Sequence, residues 1–161
     1  MPRLAIMKED DLQQAMAGCH VVYCAVSGDD LPVIAENTVS AMKMAGLRRL
    51  IFMGAVGIYD EIPAYMDDED NVKNNPDQIP NHKAADIVEN SGLDYTVLRP
   101  GYLRDGDKDD FTLTFKGEQA KGYVSTIPSV VGLAVRLIHD DTLYVRQSVS
   151  ITRDMSDTEK L

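Results

Sequence analysis

The sequence predicts an α/β chain, a doubly wound and mostly parallel sheet, in a single domain over residues 1–161. Three observations support that expectation. The run VVYCAV (21–26) is apolar without polar alternation and suits a strand covered on both faces, LIFM (50–53) reads as a second buried strand, and DYTVLRPG (94–101) as a third strand. Segments with apolar residues at helical spacing stand between them. Glycines and capping residues punctuate the junctions, as expected where strands and helices alternate.

The elements follow in order. DDLQQAMA (10–17) reads as a helix with Leu12, Ala15 and Met16 on one side, and Gly18 ends it. VVYCAV is the first strand, and SGDD (27–30) turns into a helix over 32–45 with Pro32 in its first turn. The inward stripe of that helix is Ile34, Thr38, Ala41, Met42 and Ala45, and Gly46 closes it. LIFM is the second strand. A polar connection follows over 59–80 with seven acidic residues and three prolines, longer than the usual strand-to-helix loop. It is either a functional lid or locally disordered.

HKAADIVENSG (82–92) is a short helix, and Pro100 stops the third strand. FTLTF (111–115) and GYVSTI (122–127) read as a hairpin around a charged turn. Over 129–139, Val130, Leu133, Ala134, Leu137 and Ile138 form one helical stripe. SVSIT (148–152) is a last strand, and 153–161 a tail that frays.

Composition narrows the function classes. Sixteen basic against 26 acidic residues give a net charge of -10, which argues against a nucleic-acid backbone as partner. No apolar run approaches the ~20 residues that span a bilayer, and MPRLAIMKEDD has too short an apolar core for a secretory signal. Cys19 and Cys24 fit neither a zinc ligand set nor a redox pair, so free thiols in a cytoplasmic, reducing setting are expected. The acidic cluster Asp67, Asp68, Glu69 and Asp70 lacks the spaced ligands and turn glycine of a calcium loop; it reads as solvated charge, as do Asp60 and Glu61.

In open α/β sheets ligands sit beyond the carboxyl ends of the strands. The segments leaving those ends are AVSGDD, MGAVGIYDE and RPGYLRDGD, and they are expected side by side on one rim.

Three stretches, NTVSAMKMAGLRRLIFMGAVGIYDE, SGLDYTVLRPGYL and VSTIPSVVGLAVRLI, resemble the atypical short-chain dehydrogenase/reductase group, especially its NmrA-like NAD(P)-binding proteins. The likeness runs from about Leu12 to Thr152. It implies a Rossmann-like fold, NAD or NADP as cofactor, and oxidoreductase chemistry. Relatives open with a strand, a GxxGxxG turn and a helix that receives the pyrophosphate. Nothing upstream of Leu12 is such a unit, so the resemblance implies an N-terminally truncated member with a weakened dinucleotide grip. Gly54 and Gly57 do not replace it, because they follow a later strand and no helix starts directly after them.

By resemblance the cofactor-facing residues are Ala25, Val26, Ser27, Gly54, Ala55, Lys83, Pro100, Gly101 and Tyr102. Active relatives hold a Ser at the exit of the LIFM-type strand and a Tyr four residues before a Lys. Here the exit carries Gly54 and Ala55, Lys83 matches the family Lys, and Ile79 stands where the Tyr would be. Lys83 either bonds the nicotinamide ribose or is a solvated helix residue. Tyr59 is the phenol left near the strand exit, an unconventional acid or a ring packed under the long loop. His82 is a surface residue, or a general base if the loop folds over it. Arg99 borders the nicotinamide end or clamps carbonyls at the strand end.

Two function classes remain open: an NAD(P)-dependent oxidoreductase with a degenerate active site, and a non-catalytic regulatory or association module. The strand at 21–26 would present an apolar edge, expected to be covered by the PRLAIM segment or by the same strand of a second chain in a dimer.

Overall fold

The computed structural model describes residues 8–66 and 68–153. Its elements are α1 (Glu9–Met16), β1 (Val21–Cys24), α2 (Leu31–Met44), β2 (Arg49–Met53), α3 (Ile79–Glu89), β3 (Asp94–Pro100), β4 (Tyr102–Arg104), β5 (Thr112–Phe115), β6 (Val124–Thr126), α4 (Ile127–His139) and β7 (Gln147–Thr152). The main sheet has the order β1-β2-β3-β7-β5. Its first four strands run parallel and β5 is antiparallel to β7.

The strand register explains why unbroken apolar runs form this sheet. Leu50, Phe52 and Val97 point to the face covered by α1, α2 and α3. Ile51, Leu98 and Ile151 point to the opposite face, where Val130, Leu133, Ala134 and Leu137 of α4 bury them. With helices on both sides, alternating polarity would put charges in the core, so the strands read as continuous hydrophobic runs. Thr126 caps α4 by accepting the amide of Ser129 at 3.2 Å, and Pro128 occupies its first turn.

Several expectations are corrected. The segments 111–115 and 122–127 do not form a hairpin. β5 joins the main sheet beside β7, while β6 pairs in parallel with β4 in a separate two-stranded sheet. An isolated bridge between Val124 and Arg153 ties that sheet to the end of β7. Ala45, placed on the inward stripe of α2, instead follows the helix as its exposed cap, and Ile138 of α4 is 37% exposed. β1 ends at Cys24, so Ala25 and Val26 already leave the sheet.

The connection over 59–80 is ordered wherever it is described. It contains short 3-10 turns at Ala64–Met66, Asp68–Asp70 and Pro76–Gln78. Buried Asn71 fastens it, accepting the Ile62 amide at 3.0 Å and donating to the Ile62 carbonyl at 2.8 Å. This substitutes a side-chain amide for a strand partner and satisfies the buried backbone. Asp67, the PRLAIM segment and residues 154–161 lie outside the described residues.

Gly57 is the close approach on which the loop closes. Its φ of +96° is a left-handed backbone, and a Cβ there would stand 2.3 Å from the Asp70 carbonyl oxygen. Gly57→Ala is expected to destabilise the fold by about 2 kcal/mol or more. Urea denaturation followed by circular dichroism checks this; an unchanged midpoint would contradict the packing described.

Candidate functional site

The exits of β2 and β3 are stitched together. The Gly54 amide donates to Leu98 O at 2.8 Å and the Val56 amide to Pro100 O at 2.9 Å. These bonds carry the parallel ladder past the end of the strands and hold two backbone segments side by side. A Cβ on Gly54 would meet Val97 Cγ1 at 3.2 Å and Arg99 Cγ at 3.5 Å, so position 54 faces the core. Ala55 and Val56 line a cavity of about 210 Å³ shared with Asp70, Gln78, Pro100, Gly101, Tyr102 and Tyr123.

That cavity owes its shape to a second close approach. The Tyr102 amide donates to Tyr123 O at 2.8 Å, and the Gly101 amide to Ser125 Oγ at 2.8 Å. A Cβ on Gly101 would lie 2.1 Å from the Tyr123 carbonyl oxygen, so only glycine lets β3 pass this close to the strand β6. The rings of Tyr102 and Tyr123 meet edge to face, centroids 6.5 Å apart. Gln78 anchors the other wall, donating to Val56 O at 3.1 Å and Asp70 O at 3.2 Å.

Of the residues expected at the rim, Ala55, Pro100, Gly101 and Tyr102 come together here. Ala25 and Val26 line a different feature, an apolar groove of about 320 Å³ along β1 with Leu12, Met16 and Thr38. Ser27 is exposed beyond it, and Lys83 is exposed on α3 without lining the cavity.

Tyr59 is turned away from the rim. Its hydroxyl donates to the Glu89 carboxylate and lies 3.0 Å from Ser148 Oγ. The Arg99 guanidinium stands 4.9 Å from its ring centroid and the Lys116 ammonium 4.5 Å, and Lys116 also pairs with Glu89. Burial, and then the Glu89 carboxylate, push its pKa well above the ordinary phenol value. A phenol held this way is a poor proton donor, and the packed-ring reading of Tyr59 describes its place.

The acidic pair beside it is also corrected. Glu61, expected as solvated charge, is buried against Arg99 and accepts the Tyr59 amide at 2.9 Å. Asp60 accepts the Lys73 amide at 2.9 Å from a left-handed backbone, φ 60°. Arg99 is fully buried and donates through Nη2 to Ser148 O at 3.3 Å, so it clamps the strand ends. His82 donates from Nδ1 to Ile58 O at 2.7 Å, holding the loop to α3.

Gln78 and Tyr123 were not singled out from the sequence, and Asp70, read there as solvated charge, lines the cavity. Tyr123 sat in a stretch read only as a strand. Its neighbour Tyr102 is distant in the chain, and the parallel pairing of β4 with β6 alone brings the rings together.

The family model described as NAD(P)H-binding matches residues 3–141 of this chain. No curated protein matches it. Among solved structures, a Rossmann-fold NAD(P)-binding family protein from Shigella flexneri is 31% identical with a TM-score of 0.78, the match covering 94% of this chain and 71% of that one. A short-chain dehydrogenase/reductase from Veillonella parvula, solved in complex with NADP, shares the fold at 23% identity and a TM-score of 0.78, over 95% of this chain and 70% of that one. ChuY, described as an anaerobillin reductase from Escherichia coli O157:H7, shares it at 16% identity and a TM-score of 0.74, over 94% and 74%.

The burial of Tyr59 has a consequence at high pH. Its folded pKa lies above its unfolded value, so the proton it retains stabilises the fold fully below about pH 10 and that contribution is lost as pH rises further. Tyr59→Phe is therefore expected to lose stability less steeply above about pH 10 than the parent chain. Chemical denaturation at a series of alkaline pH values checks this, with parallel curves for the two proteins as the contrary result.

Proposed function

The chain belongs to the NAD(P)H-binding family, and we propose that its β2–β3 rim receives the nicotinamide end of NAD or NADP as part of a dehydrogenase/reductase-type site. Within that family, the segments quoted above favour the NmrA-like atypical group. The single observation that carries the reading is the cavity itself. It gathers Ala55, Pro100, Gly101 and Tyr102, four positions expected to face the cofactor from the sequence alone, beyond the carboxyl ends of parallel strands.

The residues suit such a ring. Ala55, Pro100 and Gly101 give a wall with little side chain, where a flat heterocycle can lie against backbone. Tyr102 and Tyr123 give an aromatic side, and Gln78 and Asp70 give polar groups at one edge. The cavity has room for the ring and not for a whole dinucleotide. Bound there, the nicotinamide would supply or accept a hydride. The groups of this chain able to hold or move a proton beside it are the Asp70 carboxylate and the phenols of Tyr102 and Tyr123, in place of Tyr59.

A second reading, cofactor binding without hydride transfer, is favoured by a specific observation. No hydroxyl stands at position 54 or 55, Tyr59 is committed to Glu89, and Lys83 lies outside the cavity. The free thiols of Cys19 and Cys24 favour a reducing, cytoplasmic setting. Among the described residues, no helix is long and apolar enough to cross a membrane.

Fluorescence titration of the chain with NADPH and NADH tests the proposal. Saturable binding is expected, weakened roughly three- to tenfold by Tyr102→Ala through loss of an aromatic contact of about 0.5–1.5 kcal/mol. Binding that Tyr59→Phe leaves unchanged would fit the placement of Tyr59. No binding at millimolar cofactor would overturn the proposal. Binding with no oxidation of NADPH across carbonyl acceptors would select the second reading.

A further inference from the structure

Asp70 is the one ionic residue among those lining the rim cavity. Its backbone fixes its place. The Asp70 carbonyl oxygen accepts from Gln78 Nε2 at 3.2 Å and packs against Gly57, where a Cβ would come within 2.3 Å of it. Its carboxylate accepts from Asn75 Nδ2 at 3.2 Å. Among the described residues no Lys, Arg or His pairs with that carboxylate, and Lys73, three residues on, pairs with Asp68 at 3.7 Å. Asp70 also lines a second recess of about 420 Å³ with Glu69, Asn74 and Asn75, and neither hollow has a basic residue in its wall.

That charge pattern selects among hydride acceptors. Reduction of a ketone leaves an alkoxide, which needs a donor or a cation beside it. No hydroxyl stands at position 54 or 55, Tyr59 is committed to Glu89, and Lys83 lies outside the cavity. A phenol of Tyr102 or Tyr123 that gave up its proton would leave a phenolate facing a carboxylate, with no cation in the wall to offset it. A substrate that arrives already protonated on nitrogen avoids both difficulties. Its charge is opposite to that of Asp70, and the incoming hydride discharges it.

We propose that the substrate of this site is an iminium ion, a C=N compound protonated on nitrogen, with the Asp70 carboxylate as its counter-ion. This role of Asp70 rests on nicotinamide binding at the same rim. The bond broken is a ring C–H of the reduced nicotinamide, and the bond formed is C–H at the iminium carbon. The C=N π pair returns to nitrogen as a lone pair. An amine and the oxidised cofactor result, and no protein acid is consumed. Asp70 stabilises the protonated form, which is the electrophile, and seats its nitrogen. The recess on which Asp70 also opens gives the rest of the substrate a place beside the ring.

Two acceptors of similar size, the cyclic imine methylpyrroline and the ketone cyclopentanone, test it on the full chain with NADPH. The imine is expected to be reduced with a kcat/KM at least about tenfold above that of the ketone, because a contact between opposite charges in a partly dry site favours the cation by that much. Asp70→Asn keeps the shape of the side chain and is expected to lower that ratio about tenfold, whereas a merely structural loss would lower both rates alike. NMR of the chain without cofactor gives a second readout. Methylpyrrolidinium, the product cation, is expected to shift the Asp70 and Tyr102 amides, and the uncharged methyltetrahydrofuran to leave them in place. If Asp70→Asn fails to fold, this comparison on the parent chain decides. A ketone reduced as well as the imine, a ratio indifferent to Asp70→Asn, or amides unmoved by the cation would each overturn the proposal. NADPH binding with no imine reduction would overturn this role of Asp70 alone, and no NADPH binding would overturn the cofactor reading and this role with it.

Discussion

The buried ion pair between Arg99 and Glu61 is the constraint around which this molecule is arranged. Arg99 sits fully buried near the end of β3, in the centre of a parallel sheet. A guanidinium there requires a carboxylate and further acceptors, because an uncompensated charge in the interior costs several kcal/mol. Glu61 supplies the carboxylate and Ser148 O a further acceptor. To deliver Glu61, the chain leaving β2 must fold back over the sheet at once. That single requirement brings Tyr59 over β7, where Glu89 and Lys116 complete a polar cluster. It also fixes Ile62, and through Asn71 the rest of the loop.

The same pair sets the geometry of the rim. Pro100 and Gly101 follow Arg99 directly, so anchoring its guanidinium anchors the wall of the cavity. Val56, hydrogen bonded to Pro100 O, is held from the other side. Gly54 and Gly57 thus have separate causes. Gly54 fits against Val97 and Arg99, whereas Gly57 lets the backbone pass Asp70. Neither forms an anion cradle, and the motif LIFMGAVG is a tight exit that shapes a cavity one residue further on.

How much of this was legible in the sequence follows from the range of the interactions. Strands such as RLIFM and helices such as α4 declare themselves locally, through unbroken apolar runs and a helical stripe. The resemblance placed Ala55, Pro100, Gly101 and Tyr102 together because their segments leave neighbouring strands. Tyr59 kept two readings in the sequence, a rim acid and a packed ring, because proximity in sequence to the strand exit says nothing about which way a folded-back loop points. Glu61 looked like one acid among many, and only its buried partner distinguishes it. The hairpin expectation failed for a similar reason: adjacent extended segments usually pair with each other, but the six-residue β7 took β5 as its antiparallel partner, and β4 captured β6.

The charge distribution bears on what the rim can recognise. Asp105, Asp107, Asp109 and Asp110 follow β4, Asp70 lines the cavity, and Asp29 and Asp30 lie beyond β1. Long-range attraction of a phosphate-bearing cofactor by this surface is unfavourable, since like charges on both partners slow encounter and weaken binding. Recognition at the cavity must then come from contacts that act at short range: the backbone of Gly101, the methyl of Ala55, and the edge-to-face rings of Tyr102 and Tyr123. These suit the uncharged dihydronicotinamide ring better than they suit a phosphate. A cofactor bound as proposed would be read here at its reactive end by shape, with its electrostatics left to whatever surrounds the phosphates.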